Sequence, residues 1–136
     1  MNRLEAVADA IMSFEGWNAG SRSQRNRNPG NLRDSSIPHL KDAGNYCVFS
    51  SLQSGYEALL RELTAKFIGE NAHGIGPDST LRELMNVYAP AGDDNQPAIY
   101  ANYVAVYLQK SLNEHFSAAS KLREIWQPAA TQAVGA

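Results

Sequence analysis

RLEAVADAIMSF, residues 3–14, sets Leu4, Val7, Ala8, Ile11 and Phe14 at steps of three and four, so all five share one face of a helix. Gly16 stops that helix and leaves Glu15 in its last turn, between Phe14 and Trp17. The chain then changes character. WNAGSRSQRNRNPGNLRDS, residues 17–35, holds four Asn, four Arg and three Gly or Pro, which reads as irregular chain with strong turn signals. Loops of that length inside a compact domain tend to be functional or disordered.

Downstream, residues 36–49 offer two short strand candidates. The second is Tyr46–Cys47–Val48–Phe49, with Asp42–Ala43–Gly44–Asn45 as the reversal before it. Ser50 with Gln53 reads as a capping box opening a helix whose buried face is Leu52, Tyr56, Leu59, Leu60, Leu63 and Phe67, stopped by Gly69. Thr80 with Glu83 is a second capping box, leading into Leu81, Leu84, Met85 and Val87 and ending at Tyr88–Ala89–Pro90. Residues 91–96 form a polar turn, and Pro97 suits the first position of a helix with Ile99, Tyr103, Val106 and Tyr107 at helical spacing. Tyr103 and Tyr107 are read as core, and Tyr100 as the cleft candidate. A last helix over about 117–126 is capped by Ser117. The expected fold is mainly α, of the α+β type, with about five helices and a small β-hairpin. One domain covers 1–127, and the small uncharged residues 128–136 read as a flexible tail.

Composition narrows the class. The 136 residues are one domain's worth, and 43% apolar residues with 12 aromatics suffice for a core without metal or disulfide support. No apolar run approaches a membrane span, so no membrane insertion is expected. A formal charge of −2 and the lack of a groove-reading element argue against nucleic acid. Cys47 stands alone and cannot form an internal disulfide; it reads as a small core or edge residue, without a base to activate it. His39, His73 and His115 are widely separated and lack metal-ligand spacing, so neither a metal nor another cofactor is expected. The first 17 residues lack the apolar core and cleavage site of a signal peptide, so export is expected to rely on something other than a leader of the protein's own.

The chemistry concentrates around Glu15. Glycoside cleavage by carboxylates needs an acid that is still protonated near neutrality. An apolar wall from Phe14 and Trp17 and the negative end of a helix both disfavour an ionised carboxylate. The alternative is a solvated helix-end residue. Nearby, Asn28–Pro29–Gly30–Asn31–Leu32–Arg33 sets two amides and a cation on a defined turn, suited to hydroxyl- and acetamido-rich ligands. The alternative there is a turn whose Asn28 and Asn31 satisfy only their own backbone. Arg22, Arg25, Arg27 and Arg33, four of the eight arginines, read either as a contact for an anionic polymer or as a solvated loop.

Five elements in order carry a resemblance. They are Phe14–Glu15–Gly16–Trp17; Asn28–Pro29–Gly30–Asn31–Leu32–Arg33; Val48–Phe49–Ser50–Ser51 with Gly55–Tyr56–Glu57–Ala58–Leu59; Thr80–Leu81–Arg82–Glu83–Leu84 with Tyr88–Ala89–Pro90; and Asp94–Asn95 with Tyr100–Ala101–Asn102–Tyr103–Val104. Over about residues 4–110 the chain resembles the lysozyme-like muramidases and lytic transglycosylases with an NPGN loop, found among phage virion and lysis proteins. The resemblance implies a lysozyme-like fold and cleavage of peptidoglycan between N-acetylmuramic acid and N-acetylglucosamine. It implies Glu15 as the catalytic residue, and Asn28, Asn31, Arg33, Tyr88 and Tyr100 as substrate-side residues. Asp34 stands as a candidate second acid, with Asp42 and Asp94 behind it; a lytic transglycosylase needs none, and that class is slightly favoured. Peptidoglycan glycan strands are the expected partner, with virion or secretion proteins as further candidates, and the cell wall or periplasm is the expected place of action. The alternative is a non-catalytic lysozyme-like module, structural in a virion or glycan-binding.

Overall fold

The computed structural model describes residues 2–88 and 96–128. Helix α1 spans Arg3–Phe14 as the spacing predicts. Asn2 caps it reciprocally: its side chain accepts from the Glu5 N–H while the Glu5 carboxylate accepts from the Asn2 N–H. Its buried residues are Leu4, Ala6, Val7, Ala8, Ala10 and Ile11, which is wider than one stripe. The reason is that α1 packs against two helices, α3 (Leu52–Ile68) and α5 (Pro97–Leu112). Ala6 and Ala10 are small enough to admit a second neighbour.

A four-residue helix α2, Arg22–Arg25, interrupts the long loop. Ser21 caps it and accepts from the Gln24 N–H, a signal the turn-rich composition hides. The hairpin forms where expected but is shorter: β1 (Leu40–Lys41) pairs antiparallel with β2 (Cys47–Val48), Leu40 opposite Val48 and Lys41 opposite Cys47. Its turn is built by Asp42, which accepts from the N–H groups of Gly44 and Tyr46, with Asn45 in the left-handed region.

α3 is capped by Ser51 rather than Ser50, whose neighbour Phe49 is tied to the loop by donating its N–H to the Asn26 carbonyl. Gly69, at φ 88°, ends it as expected. Thr80 and Glu83 form the expected reciprocal cap on α4 (Leu81–Tyr88). Pro97 does open α5, but the face expected there is wrong by about one position. Ile99 and Val106 are exposed, while Tyr100, Ala101, Val104, Ala105 and Leu108 are buried. So many of its residues are apolar that spacing alone cannot choose a face; the alanines, fitting close to α1 and α4, decide it. Tyr100 is therefore the core tyrosine, and Tyr103 and Tyr107 are half-buried. Of the helix expected over 117–126 only α6, Leu122–Ile125, forms. Residues 118 and 120 spend their carbonyls on the N–H groups of Arg82 and Leu81, so that stretch, a turn closed by the Ser120 N–H on the Ser117 carbonyl, is a clasp against the start of α4.

Two clusters make the interior. The larger joins α1, α3, α4, α5 and α6; the smaller holds Leu32, Ile37, Cys47, Phe49 and Ala58 under the hairpin. Tyr88 packs against both. The mainly helical expectation with one small antiparallel sheet therefore holds among the described residues. No described helix is long and apolar enough to cross a membrane. Asp94, the turn over 91–96 apart from Gln96, and the expected tail apart from Pro128 lie outside the described residues.

Candidate active site

Glu15 is the C-cap of α1, half-buried where the two clusters meet. Each of its carboxylate oxygens accepts one hydrogen bond. Asn31 Nδ2 donates to Oε1 at 3.0 Å and the Tyr100 hydroxyl donates to Oε2 at 2.8 Å. The carboxyl group is thus fixed from one side by the loop and from the other by α5. Phe14 stacks on the Tyr100 ring, centroids 3.8 Å apart at 23°, and holds that donor in place. Burial, reinforced by Tyr88 and Glu15, pushes the Tyr100 hydroxyl far above the usual tyrosine range, so it remains a donor. The wall expected from Phe14 and Trp17 does not form as a pair: Phe14 stacks on Tyr100, and Trp17 joins no ring pair among the described residues.

The two asparagines of the loop do different work. Asn28 is fully buried. Its Nδ2 donates to the carbonyls of Leu32 (2.9 Å) and Cys47 (3.0 Å), and its Oδ1 accepts from the Leu32 N–H (2.9 Å). The substrate contact expected of Asn28 is not seen: the residue ties the loop to β2 and, fully buried, presents no polar atom to the cavity. Asn31 has φ 50°, which asparagine tolerates better than most residues, and this turn aims its amide at Glu15. Its Oδ1 is buried without a partner among the described residues.

The loop rests directly on its neighbours. A Cβ at Gly30 would stand 2.5 Å from the Tyr88 hydroxyl and 2.8 Å from Leu59 Cδ1. A Cβ at Gly55 of α3 would stand 1.8 Å from the Arg27 carbonyl oxygen. Tyr88 donates its hydroxyl to the Gly30 carbonyl at 2.7 Å. Burial, then the charges of Glu15 and Glu62, raises the Tyr88 hydroxyl well above its ordinary value.

Beside this assembly lies an open cavity of about 700 Å³ whose lining includes Glu15, Asn31, Arg33, Asp34 and Tyr88. Five of the seven residues picked from the sequence thus share one groove; Asn28 and Tyr100 lie beneath it. Tyr100 reaches Glu15 but is fully buried, so it supports the carboxylate rather than facing a ligand. Asp34 is exposed on the wall, one oxygen accepting from the Ser35 N–H. Asp42 is absent from the lining and is committed to the hairpin turn. The Asn26 amide above all, then the Tyr46 N–H, holds its carboxyl below the usual range.

Of the four loop arginines, Arg22 and Arg33 reach this lining and Arg25 and Arg27 do not; the sequence reading missed Tyr46, Glu62 and Lys66, all in the same lining. Lys66 is buried and its ammonium pairs with Glu62. The signal for that pair was the i,i+4 spacing on α3 beside the apolar face. A second cavity of about 440 Å³ shares Asp34, Glu62 and Ala65 with the first, so the groove extends along α3. Among the described residues no three His, Cys, Asp or Glu side chains converge to hold a metal ion.

Fold and groove together define a mainly helical domain with a small antiparallel hairpin and one carboxylate clamped in an extended polar groove. Comparison with protein-family models, curated proteins and solved structures found no match.

Proposed function

We propose that the protein is a lysozyme-like glycosidase that cleaves the β-1,4 bond between N-acetylmuramic acid and N-acetylglucosamine in peptidoglycan, with Glu15 as its single catalytic carboxylate. The observation that carries this reading is the placement of Glu15: at the end of the first long helix, on the wall of an open groove, with both oxygens held by neutral donors. Neutral donors orient a carboxyl group without supplying a permanent countercharge, which suits a group that must gain and lose a proton. The unpartnered Oδ1 of Asn31 adds to this. Nδ2 can donate to the carboxylate, and the amide turned over can accept from the protonated acid.

In the lytic-transglycosylase version, protonated Glu15 gives its proton to the bridging oxygen as the glycosidic bond breaks. The resulting carboxylate then takes the proton of the muramic 6-hydroxyl as that oxygen bonds to the anomeric carbon, leaving a 1,6-anhydro end and a restored acid. The hydrolytic version uses water in place of the 6-hydroxyl, and Asp34 on the groove wall is its candidate second acid. Action in the cell wall or periplasm, and association with virion or secretion proteins, belong to the same reading.

Glu15→Gln assayed on purified peptidoglycan is expected to lose at least about 100-fold in turnover, the ordinary contribution of a general acid. Mass spectrometry of the wild-type products should find anhydro ends for a transglycosylase and reducing ends for a muramidase. Unchanged turnover in Glu15→Gln would remove Glu15 from the catalytic role; wild-type protein that binds peptidoglycan and releases no fragments would leave a non-catalytic glycan-binding or virion module as the reading.

A further inference from the structure

Two guanidinium groups stack on one ring at the groove. The Arg22 and Arg33 carbons lie 4.1 Å and 4.2 Å from the Tyr46 centroid. All three residues line the cavity that holds Glu15. Arg33 is further fixed by donating to the Tyr46 hydroxyl at 2.8 Å and to the Gly44 carbonyl at 3.4 Å. Neither guanidinium forms an ion pair among the described residues, whose pairs are Arg3–Glu114, Arg61–Glu57, Lys66–Glu62 and Arg123–Asp78. The nearby carboxylates close no ion pair with them, although the charge of Arg22 does act on Asp42. Asp42 is taken up by Asn26, Gly44 and Tyr46, and Asp34 accepts from its neighbour Ser35. Lys41 adds a third positive charge, its ammonium donating to the Arg33 carbonyl.

Like charges gathered this way repel one another unless an anion joins them. Here a tyrosine orients two of them and leaves N–H donors free on both, while the chain as a whole carries −2. The fork of a guanidinium matches a carboxylate in geometry as well as in charge.

We propose that Arg22, Tyr46 and Arg33 form a carboxylate-recognition wall, selecting glycan strands that carry acidic substituents over neutral ones. The inference rests on the glycan-cleaving reading and names its substrate class more closely. The carboxylate can come from a peptide attached to the sugar's lactyl group, or from that lactyl group itself once the peptide is removed.

Binding in a Glu15→Gln background, which keeps strands intact, tests it by titration calorimetry. Three probes are used: glycan strands bearing their stem peptides, the same strands stripped of peptide, and neutral N-acetylglucosamine oligomers. Arg22→Gln/Arg33→Gln should weaken binding of the acidic strands about tenfold or more, since each charged hydrogen bond lost is worth an order of magnitude. It should flatten the salt dependence of that binding and lower the preference for acidic over neutral ligands. Arg25→Gln/Arg27→Gln, the same charge loss outside the cavity lining, should change these quantities less than about twofold. A loss confined to peptide-bearing strands assigns the carboxylate to the peptide; a loss that persists on stripped strands assigns it to the lactyl group. Equal weakening for neutral oligomers, equal weakening by the control pair, or no binding of acidic strands overturns the proposal. Cleavage is judged separately by turnover of the Glu15-intact protein, so strands bound through these arginines without being cut would sink the enzyme reading alone.

Discussion

Tyr100 presents one hydroxyl to one carboxylate oxygen and buries everything else against Phe14 and the core. Tyr100→Phe removes that donor while preserving the stack. A hydrogen bond to a charged group contributes about 1.5–3 kcal/mol to stability, so the variant is expected to be destabilised by no more than about that, with turnover on peptidoglycan falling by about an order of magnitude as Glu15 loses one of its two fixed donors. A large loss of stability with unchanged turnover would assign Tyr100 to the core alone. At this scale the sequence was legible in part. Glu15 could be singled out because a helix stop and two aromatics flank it. The division between Asn28 and Asn31 could not, because both sit in one turn and only its left-handed residue decides which amide faces inward and which faces the carboxylate. Arg22 and Tyr46 are 24 positions apart, and nothing in their spacing brings them together before the hairpin folds back.

Among the elements, α3 and the loop at 27–31 meet with no side chain between them at Gly55. Gly55→Ala would drive a methyl group into the Arg27 carbonyl, which is backbone and cannot swing aside. The expected result is a destabilisation of about 1–3 kcal/mol from overpacking, read from the denaturant midpoint, with reduced turnover as Asn31 is carried away from Glu15. Wild-type stability and activity in this variant would mean that the loop can ride over α3 freely. Helix boundaries were readable wherever a cap or a stop residue marks them: Gly69, Thr80 with Glu83, and Pro97 all act as their chemistry dictates. The buried face of α5 and the 117–121 clasp were not. An almost wholly apolar helix has no distinctive stripe, and a serine-rich stretch that pairs with the start of α4 looks locally like a helix cap.

For the molecule as a whole, the buried tyrosines set the alkaline limit. Burial raises the hydroxyls of Tyr88 and Tyr100 above the ordinary tyrosine value of about 10. Their stabilising effect is complete below that value and is lost as pH climbs beyond it, since the unfolded chain gives up those protons while the folded one keeps them. Unfolding free energy should fall above about pH 10 by up to roughly 1.4 kcal/mol per pH unit for each such tyrosine. Denaturation midpoints at pH 9 to 11 measure this, and Tyr100→Phe should flatten the slope; a flat wild-type profile would contradict it. Apolar spacing and caps announced a mainly helical chain with a small hairpin. They could not announce that the interior divides in two, because Cys47, Phe49 and Leu32 look like any other apolar positions until the hairpin closes over them.

Tyr88 touches both halves of that divided interior and anchors the Gly30 carbonyl between them. A ring wedged there acts as a keystone. Prying the halves apart would strip it from two packed surfaces at once, so the hairpin side and the helical side are expected to resist separation as one unit.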